Sequence, residues 1–260
     1  MADLPQSFLD SMKEILGEDY EAFLTGFDGQ RQYGLRVNTL KMNLEEFERI
    51  APFHLKKVPW ISNGYFYNAE DVPAKHPFYS AGLYYLQEPS AMTPAARFPV
   101  EPGERVLDLC AAPGGKSLHV SELLNGTGTV EARDLTPLKT QLIRENIARL
   151  GLDNISVKEW DARVSDTASK ESADIVLADL PCSGLGIIGR KPDIRYKMTE
   201  KKQEDIVKLQ RQILDTVWKY VKVGGTLVYS TCTIGAEENQ YNLKWFLDNY
   251  PFKLESIDPY

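Results

Sequence analysis

Three thiols, Cys110, Cys182 and Cys232, and three carboxylates, Asp134, Asp161 and Asp179, are the side chains whose types and spacing could do chemistry in this sequence. The cysteines are odd in number and far apart, which argues against a disulfide framework. With His54, His76 and His119 equally scattered, no spacing suits a metal, and no metal centre is expected. Thiol chemistry in a reducing compartment stays open. The ordinary alternative, a buried structural thiol, fits Cys110, inside an apolar run, better than the other two.

The elements that must position these groups begin at residue 105. From there short β-branched runs alternate with helical periodicity, the pattern of a parallel sheet covered by helices. Strands are predicted over 105–110, 129–134, 155–161, 173–180, 225–232 and, as a sixth, 252–257. After the second strand a helix is predicted, with Thr136 as cap, Pro137 at its first position and Gly151 beyond its last residue. Its apolar face is Leu138, Leu142, Ile143, Ile147 and Leu150. A longer helix should begin near Thr199, bury Ile206, Leu209, Ile213, Val217 and Tyr220, and end at Gly224-Gly225, leading into the strand of Cys232. The expected fold class is α/β, a doubly wound Rossmann-like sheet. Residues 1–85 lack the alternation and contain turn-rich aromatic stretches, so a separate small α+β domain is expected before a second domain over 86–260.

Cys110, Ala111, Ala112, Pro113, Gly114, Gly115 and Lys116 link the first strand to its helix as a small-residue loop. Its backbone amides can approach a ligand at the helix N-terminus. The loop is neither GxGxxG nor the Walker phosphate loop, and by itself it reads more readily as a plain tight turn. Asp134 changes that balance: it ends the second strand nineteen residues after Gly115, where doubly wound folds hold an acid against a ribose. Asp161 ends the third predicted strand and Asp179 lies near the end of the fourth. Three acids thus converge on the carboxyl edge of the sheet, where such folds bind ligands. A nicotinamide dinucleotide would share the ribose acid; the glycine pattern and the two further acids favour an adenosyl ligand approached by its amino-acid end.

The 260 residues are 43% hydrophobic and 26% charged, and no apolar run approaches the roughly 20 residues of a membrane span. The N-terminal MADLPQSFLDSMKEIL is acidic and amphipathic, unlike a signal peptide, so a cytoplasmic protein without a membrane partner is expected. A net charge of −7 counts against nucleic-acid binding, yet from Arg190 to Lys222 ten Lys or Arg stand against five Asp or Glu. Phosphate contacts belong there, Arg190 and Lys191 first; a solvated helix face is the plain alternative. Residues 1–85, despite Arg36, Lys41, Lys56 and Lys57 among aromatics, hold twelve acids against eight bases.

The segments LDLCAAPGGKS, ADLPCSGLG, RKPDIR, VYSTCTI and EEN, in this order, resemble the Nol/Nop/Sun family of RNA 5-methylcytosine methyltransferases, of the bacterial ribosomal RNA type. LRVNTLK and YYLQEPSAM extend the resemblance over roughly residues 33–245. It implies a class I methyltransferase sheet, S-adenosylmethionine as cofactor and a monomer acting on RNA. The Thr-Cys motif implies Cys232 as nucleophile, and the Pro-Cys motif implies Cys182 as the group that resolves the covalent adduct. Carbon 5 of cytosine is a poor nucleophile; a thiolate added at carbon 6 makes it enamine-like and able to attack a methyl group. By the same resemblance Asp179 contacts the methionine amine or the base, where it could protonate ring nitrogen 3, and Lys116 belongs to the site, its ammonium favouring a thiolate. The cofactor set is then residues 110–116 with Asp134, Asp161 and Asp179.

Two other readings stay in view. A DNA cytosine-5 methyltransferase would use the Pro-Cys thiol, Cys182, as nucleophile, and the separate Thr-Cys motif argues against it. An idle RNA-binding assembly factor would be expected to lack Cys232 or the acids, and it has them. Chains of the resembled family usually continue to a last strand beside the fifth. This sequence stops at Tyr260, so an unpaired edge near 252–257 is expected.

Overall fold

The computed structural model describes residues 4, 6–27, 29, 31–97, 100–191 and 193–257, so Pro192 of the RKPDIR segment lies outside the described residues. Four short strands, β1 Tyr33–Val37, β2 Lys56–Lys57, β3 Gly64–Tyr67 and β4 Tyr84–Leu86, pair antiparallel in the order β2-β3-β1-β4. Leu35, Val37 and Tyr65, alternate residues on their strands, meet Phe47 and Tyr84 in one apolar cluster. Phe47 comes from the helix Leu44–Ile50, which Asn43 caps by accepting the Glu46 amide at 2.8 Å.

Five further strands, β5 Arg105–Asp108, β6 Thr129–Asp134, β7 Ile155–Glu159, β8 Ala173–Asp179 and β9 Val221–Ser230, are all parallel, in the order β7-β6-β5-β8-β9. Continuous burial of Ile175, Val176, Leu177 and Ala178 is what a strand covered on both faces requires. The order reverses between β5 and β8, which makes their carboxyl ends the switch point of a doubly wound α/β sheet.

Element for element the structure follows the sequence pattern, but β5, β7 and β9 end two residues before the expected limits, so Cys110, Asp161 and Cys232 lie just past their strands, and further corrections follow. The helix Pro137–Leu150 is capped by Thr136 and closed by Gly151 at φ 69° as expected, but Leu138 is 74% exposed and Leu142 faces out with it. Ile143 and Leu150 of the expected face are buried and Ile147 is half-buried, while Thr140 takes the place of Leu138 and Leu142 on the buried side, because packing on the sheet selects the face. The long helix Glu200–Val217 stops before Gly224: a short 3-10 turn, Trp218–Tyr220, follows, and β9 starts at Val221. Of its expected apolar face Ile213, Val217 and Tyr220 are buried, while Ile206 and Leu209 are only half-buried. The glycine pair sits inside β9 where the pairing with β8 shifts register, and a Cβ on Gly225 would stand 2.6 Å from the Asp174 carbonyl. Lastly, 252–257 forms no strand, and Leu254 and Ile257 are 66% and 60% exposed. The edges of this sheet among the described residues are β7 and β9, the latter the strand that leads toward Cys232.

By contacts the chain falls into two units. Both sheets belong to one, made of residues 32–180, 212–230 and those from 254 onward. Within it, Arg36 of β1 forms a fully buried ion pair with Glu122 of the helix Gly115–Leu123, and Asn38 Nδ2 donates to the carbonyls of Gly82 and Leu150 at 3.1 and 3.0 Å. The other unit gathers the first 31 residues with 181–211 and 231–253. Phe8 and Met12 of the helix Gln6–Leu16, with Phe23 and Phe27, pack on Leu185, Ile188, Ile194 and Ile234. That apolar face groups the N-terminal helices with the segments carrying Cys182 and Cys232. No helix among the described residues is long and apolar enough to cross a membrane.

Candidate active site

In the sheet-bearing unit, the loop after β5 is folded by its own backbone. The Ala111 amide donates to the Arg133 carbonyl and the Gly114 amide to the Ala111 carbonyl, at 2.9 and 2.6 Å. Gly114, at φ 109°, adopts a conformation other residues rarely reach, and from it the helix Gly115–Leu123 starts with no side-chain cap. Pro113 is exposed, Ala112 and Gly115 are half-buried, and Ala111 and Gly114 are buried. Ser117 donates to Asp108 beneath the loop; burial pushes that carboxyl up to about 7, against the pull of the Ser117 hydrogen bond.

Asp134, at the end of β6, accepts from the Ala112 and Leu135 amides at 2.9 and 2.7 Å and from Lys139 Nζ at 2.9 Å. A carboxylate has about four lone-pair sites, so acceptor capacity remains for a ribose hydroxyl. Asp179, at the end of β8, pairs with Lys116 Nζ at 2.5 Å through one oxygen and accepts from Ser230 Oγ at 2.7 Å through the other. The pair spans the switch point, from the helix that follows β5 to the tip of β8. Asp161 lies two residues past β7 and is forked by Arg163, whose hydrogen bonds hold its carboxyl below the usual range. Cys110 is a half-exposed residue whose thiol is pushed up by burial and then by the neighbouring Asp108, Asp134 and Asp179 charges. It is therefore kept protonated, as suits a structural thiol.

In the other unit, Cys182 and Cys232 come together, their Sγ atoms 2.9 Å apart, with the Cys232 amide donating to Cys182 Sγ at 3.2 Å. Cys232 is exposed and Cys182 half-buried. The hydrogen bond to Cys232, then burial, pushes the Cys182 thiol well up. Cys182 thus favours its protonated form beside the exposed Cys232 sulfur.

Each cysteine loop is clamped by residues that the sequence pattern did not mark as functional. Buried Glu238 accepts the Ser183 amide and Gln210 Nε2, both at 2.9 Å, and Gln210 also donates to the Pro181 carbonyl at 2.9 Å. Asn239 donates to the Thr233 and Gly235 carbonyls at 3.2 and 3.0 Å and accepts from Thr231 Oγ1 at 2.7 Å. Ser183 Oγ and Thr233 Oγ1, 2.8 Å apart, join the two loops. A Cβ on Gly186 would stand 2.8 Å from the Cys232 carbonyl, so the glycine lets the loops approach. A sequence signal existed for Gln210, a polar residue four positions after Ile206 on the buried side of its helix, and for the EEN segment, which carries Glu238 and Asn239. Arg190 and Lys191 lie exposed beyond the Cys182 loop. Among the described residues no group of three or more His, Cys, Asp or Glu could hold a metal.

A five-stranded parallel sheet in this order, a glycine loop after its first strand and an acid closing its second define a Rossmann-like class I methyltransferase fold, the class whose cofactor is S-adenosylmethionine. The family model described as 16S rRNA methyltransferase RsmB/F matches residues 96–258, and that of the N-terminal domain of 16S rRNA methyltransferase RsmF matches residues 4–89. The chain belongs to the 16S rRNA methyltransferase RsmB/F family. It is 33% identical over 265 residues to ribosomal RNA small subunit methyltransferase F of Cronobacter sakazakii, covering 98% of this chain and 55% of that protein. The chain thus spans about half the length of the curated relatives it matches. Among solved structures, PH0851 shares 30% identity and a TM-score of 0.91 over 99% of this chain and 60% of that one. A methyltransferase homologue from Pyrococcus horikoshii shares 30% identity and a TM-score of 0.79 over 95% of this chain and 84% of that one.

Proposed function

We propose that this chain transfers a methyl group from S-adenosylmethionine to carbon 5 of a cytosine in small-subunit ribosomal RNA, in the cytoplasm, through a covalent adduct with Cys232. The observation that carries the reading is the thiol pair: two cysteines fifty residues apart with sulfurs 2.9 Å from each other, one exposed, the other kept protonated beside it. An exposed sulfur with an S–H donor beside it is suited to attack, and a second thiol next to it is suited to resolve what the first has made.

S-adenosylmethionine, when bound, supplies the electrophilic methyl group. The loop 110–116 and Asp134 would hold it, the uncapped helix start taking the methionine carboxylate and Asp134 the ribose. Asp161 would take the adenine amine, once Arg163 yields one oxygen. The Cys232 thiolate adds to carbon 6, its electron pair forming the S–C bond while the ring double bond shifts its electrons toward carbon 5. A proton reaches ring nitrogen 3, for which Asp179 in its acid form would be the donor, with Lys116 stabilising the carboxylate left behind. After methyl transfer the proton on carbon 5 passes to a base, proposed to be Cys182 once it has lost its own proton; the C–H electrons re-form the double bond between carbons 5 and 6, and the S–C bond breaks so that Cys232 leaves as a thiolate. Arg190 and Lys191 would meet the RNA backbone.

The test separates the two cysteines. Cys182→Ala, incubated with substrate RNA and S-adenosylmethionine, should accumulate a protein–RNA adduct that survives denaturing electrophoresis, and adding Cys232→Ala should abolish it. An adduct trapped by Cys232→Ala and missing in Cys182→Ala would reverse the roles and give the order of a DNA-type enzyme.

A further inference from the structure

We propose that Cys182 and Cys232 form a vicinal dithiol that hydroperoxides close to a disulfide, a reversible modification site over the nucleophile. Its effect on activity rests on the function proposed above; the chemistry of the site does not.

Three observations within one unit carry it. The sulfurs are 2.9 Å apart, and a disulfide needs about 2.05 Å, so closure asks for a shift of under an ångström. The proximity is built: Glu238 fixes the Cys182 loop, Asn239 fixes the Cys232 loop, and the Ser183–Thr233 hydrogen bond ties them to each other. Held this way, the second thiol meets the first as an intramolecular partner, at an effective concentration far above that of any free thiol. Finally, Cys232 is exposed, so a small oxidant reaches it, whereas the thiol of Cys110 is kept protonated by burial.

The step balances. The Cys232 thiolate attacks one peroxide oxygen, the O–O bond breaks, and Cys232 becomes a sulfenic acid while water leaves. Cys182 sulfur then attacks the sulfenic sulfur, the S–S bond forms, the S–O bond breaks, and its proton leaves with the hydroxyl as a second water. Two thiols have lost two electrons and two protons, and one hydrogen peroxide has become two waters. A dithiol reductant reverses it. The geometry also protects: a sulfenic acid captured by its neighbour does not proceed to the irreversible sulfinic acid.

The full chain, reduced and then treated with hydrogen peroxide, should fall from three titratable thiols to one under denaturing conditions. Peptide mapping should find the Cys182 peptide joined to the Cys232 peptide, lighter by two hydrogens than the separate pair. Methyl transfer should be lost and regained with dithiothreitol. Cys182→Ser should give no cross-link, and its Cys232 should become sulfinic acid that dithiothreitol does not rescue. Peroxide-treated wild type with both peptides unjoined, or with Cys232 as sulfinic acid, overturns the proposal. A cross-link in a protein that never methylates cytosine leaves the dithiol standing and removes the functional reading; methylation through a Cys232 adduct with no cross-link does the reverse.

Discussion

Glu238 and Asn239 are neighbours in the chain, yet they hold different cysteine loops: the Glu238 carboxylate accepts the Ser183 amide, while the Asn239 side chain donates to the Thr233 carbonyl. Glu238→Ala would leave two buried donors, the Ser183 amide and Gln210 Nε2, without their acceptor, at about 1–3 kcal/mol each. Methyl transfer should fall about tenfold to a hundredfold through misplacement of Cys182, with S-adenosylmethionine affinity unchanged by calorimetry. Glu238→Gln, which keeps one acceptor oxygen, should recover part of kcat. A parallel loss of cofactor affinity would mean that the residue is merely structural.

Asp134→Ala should weaken S-adenosylmethionine binding by about tenfold to a hundredfold, the value of one charge-assisted hydrogen bond. Because Asp134 also accepts the Ala112 and Leu135 amides, the melting temperature must be followed in parallel. Unchanged affinity in a folded variant would remove Asp134 from the cofactor site.

Asp108 gives a pH test with a definite sign. Burial raises it from 3.8 to about 7, so the folded chain retains a proton that the unfolded chain has released. The stability linked to this group is complete below its unfolded value and lost as pH rises through about 7, at most about 4 kcal/mol in all. Asp108→Asn removes the linkage. Its melting temperature relative to wild type should climb between pH 3.8 and about 7 and level off above. A difference that does not vary with pH would mean that Asp108 titrates as an ordinary carboxyl.

Arg190→Ala combined with Lys191→Ala should weaken RNA binding and flatten its dependence on salt. For a single strand each phosphate contact contributes about 0.7 to the logarithmic slope, so losing both should lower it by about 1.4. A slope equal to wild type would move the RNA surface elsewhere.

What the sequence made legible was local chemistry. Thr136, Pro137 and Gly151 mark both ends of one helix because cap, fixed φ and left-handed turn are each the property of a single residue. The face of that helix was legible at Ile143 and Leu150 but not in its first turn, where choosing Thr140 over Leu138 is a decision of the sheet beneath it. Gly224-Gly225 misled for a physical reason, since a helix stop and a strand bulge exploit the same freedom of glycine. Asp134 and Asp179 were readable as acids at strand ends. The Arg163 fork on Asp161 was hidden, though the two residues stand only two positions apart. That the thiols of Cys182 and Cys232 should share a cleft is readable from the two neighbouring strands predicted before them; that their sulfurs stand 2.9 Å apart is not, because it depends on which loops Glu238, Asn239 and the Ser183–Thr233 bond hold.

The buried pair Arg36–Glu122 constrains how this family's parts can be recombined. Arg36 belongs to the small antiparallel sheet and Glu122 to the helix that opens at the glycine loop, and both side chains are sealed from water. Removing one charge strands the other, at several kcal/mol. A chimera that grafts a relative's antiparallel sheet onto this methyltransferase sheet must therefore transplant the matching acid as well, or begin with a helix at the glycine loop that carries an unanswered charge.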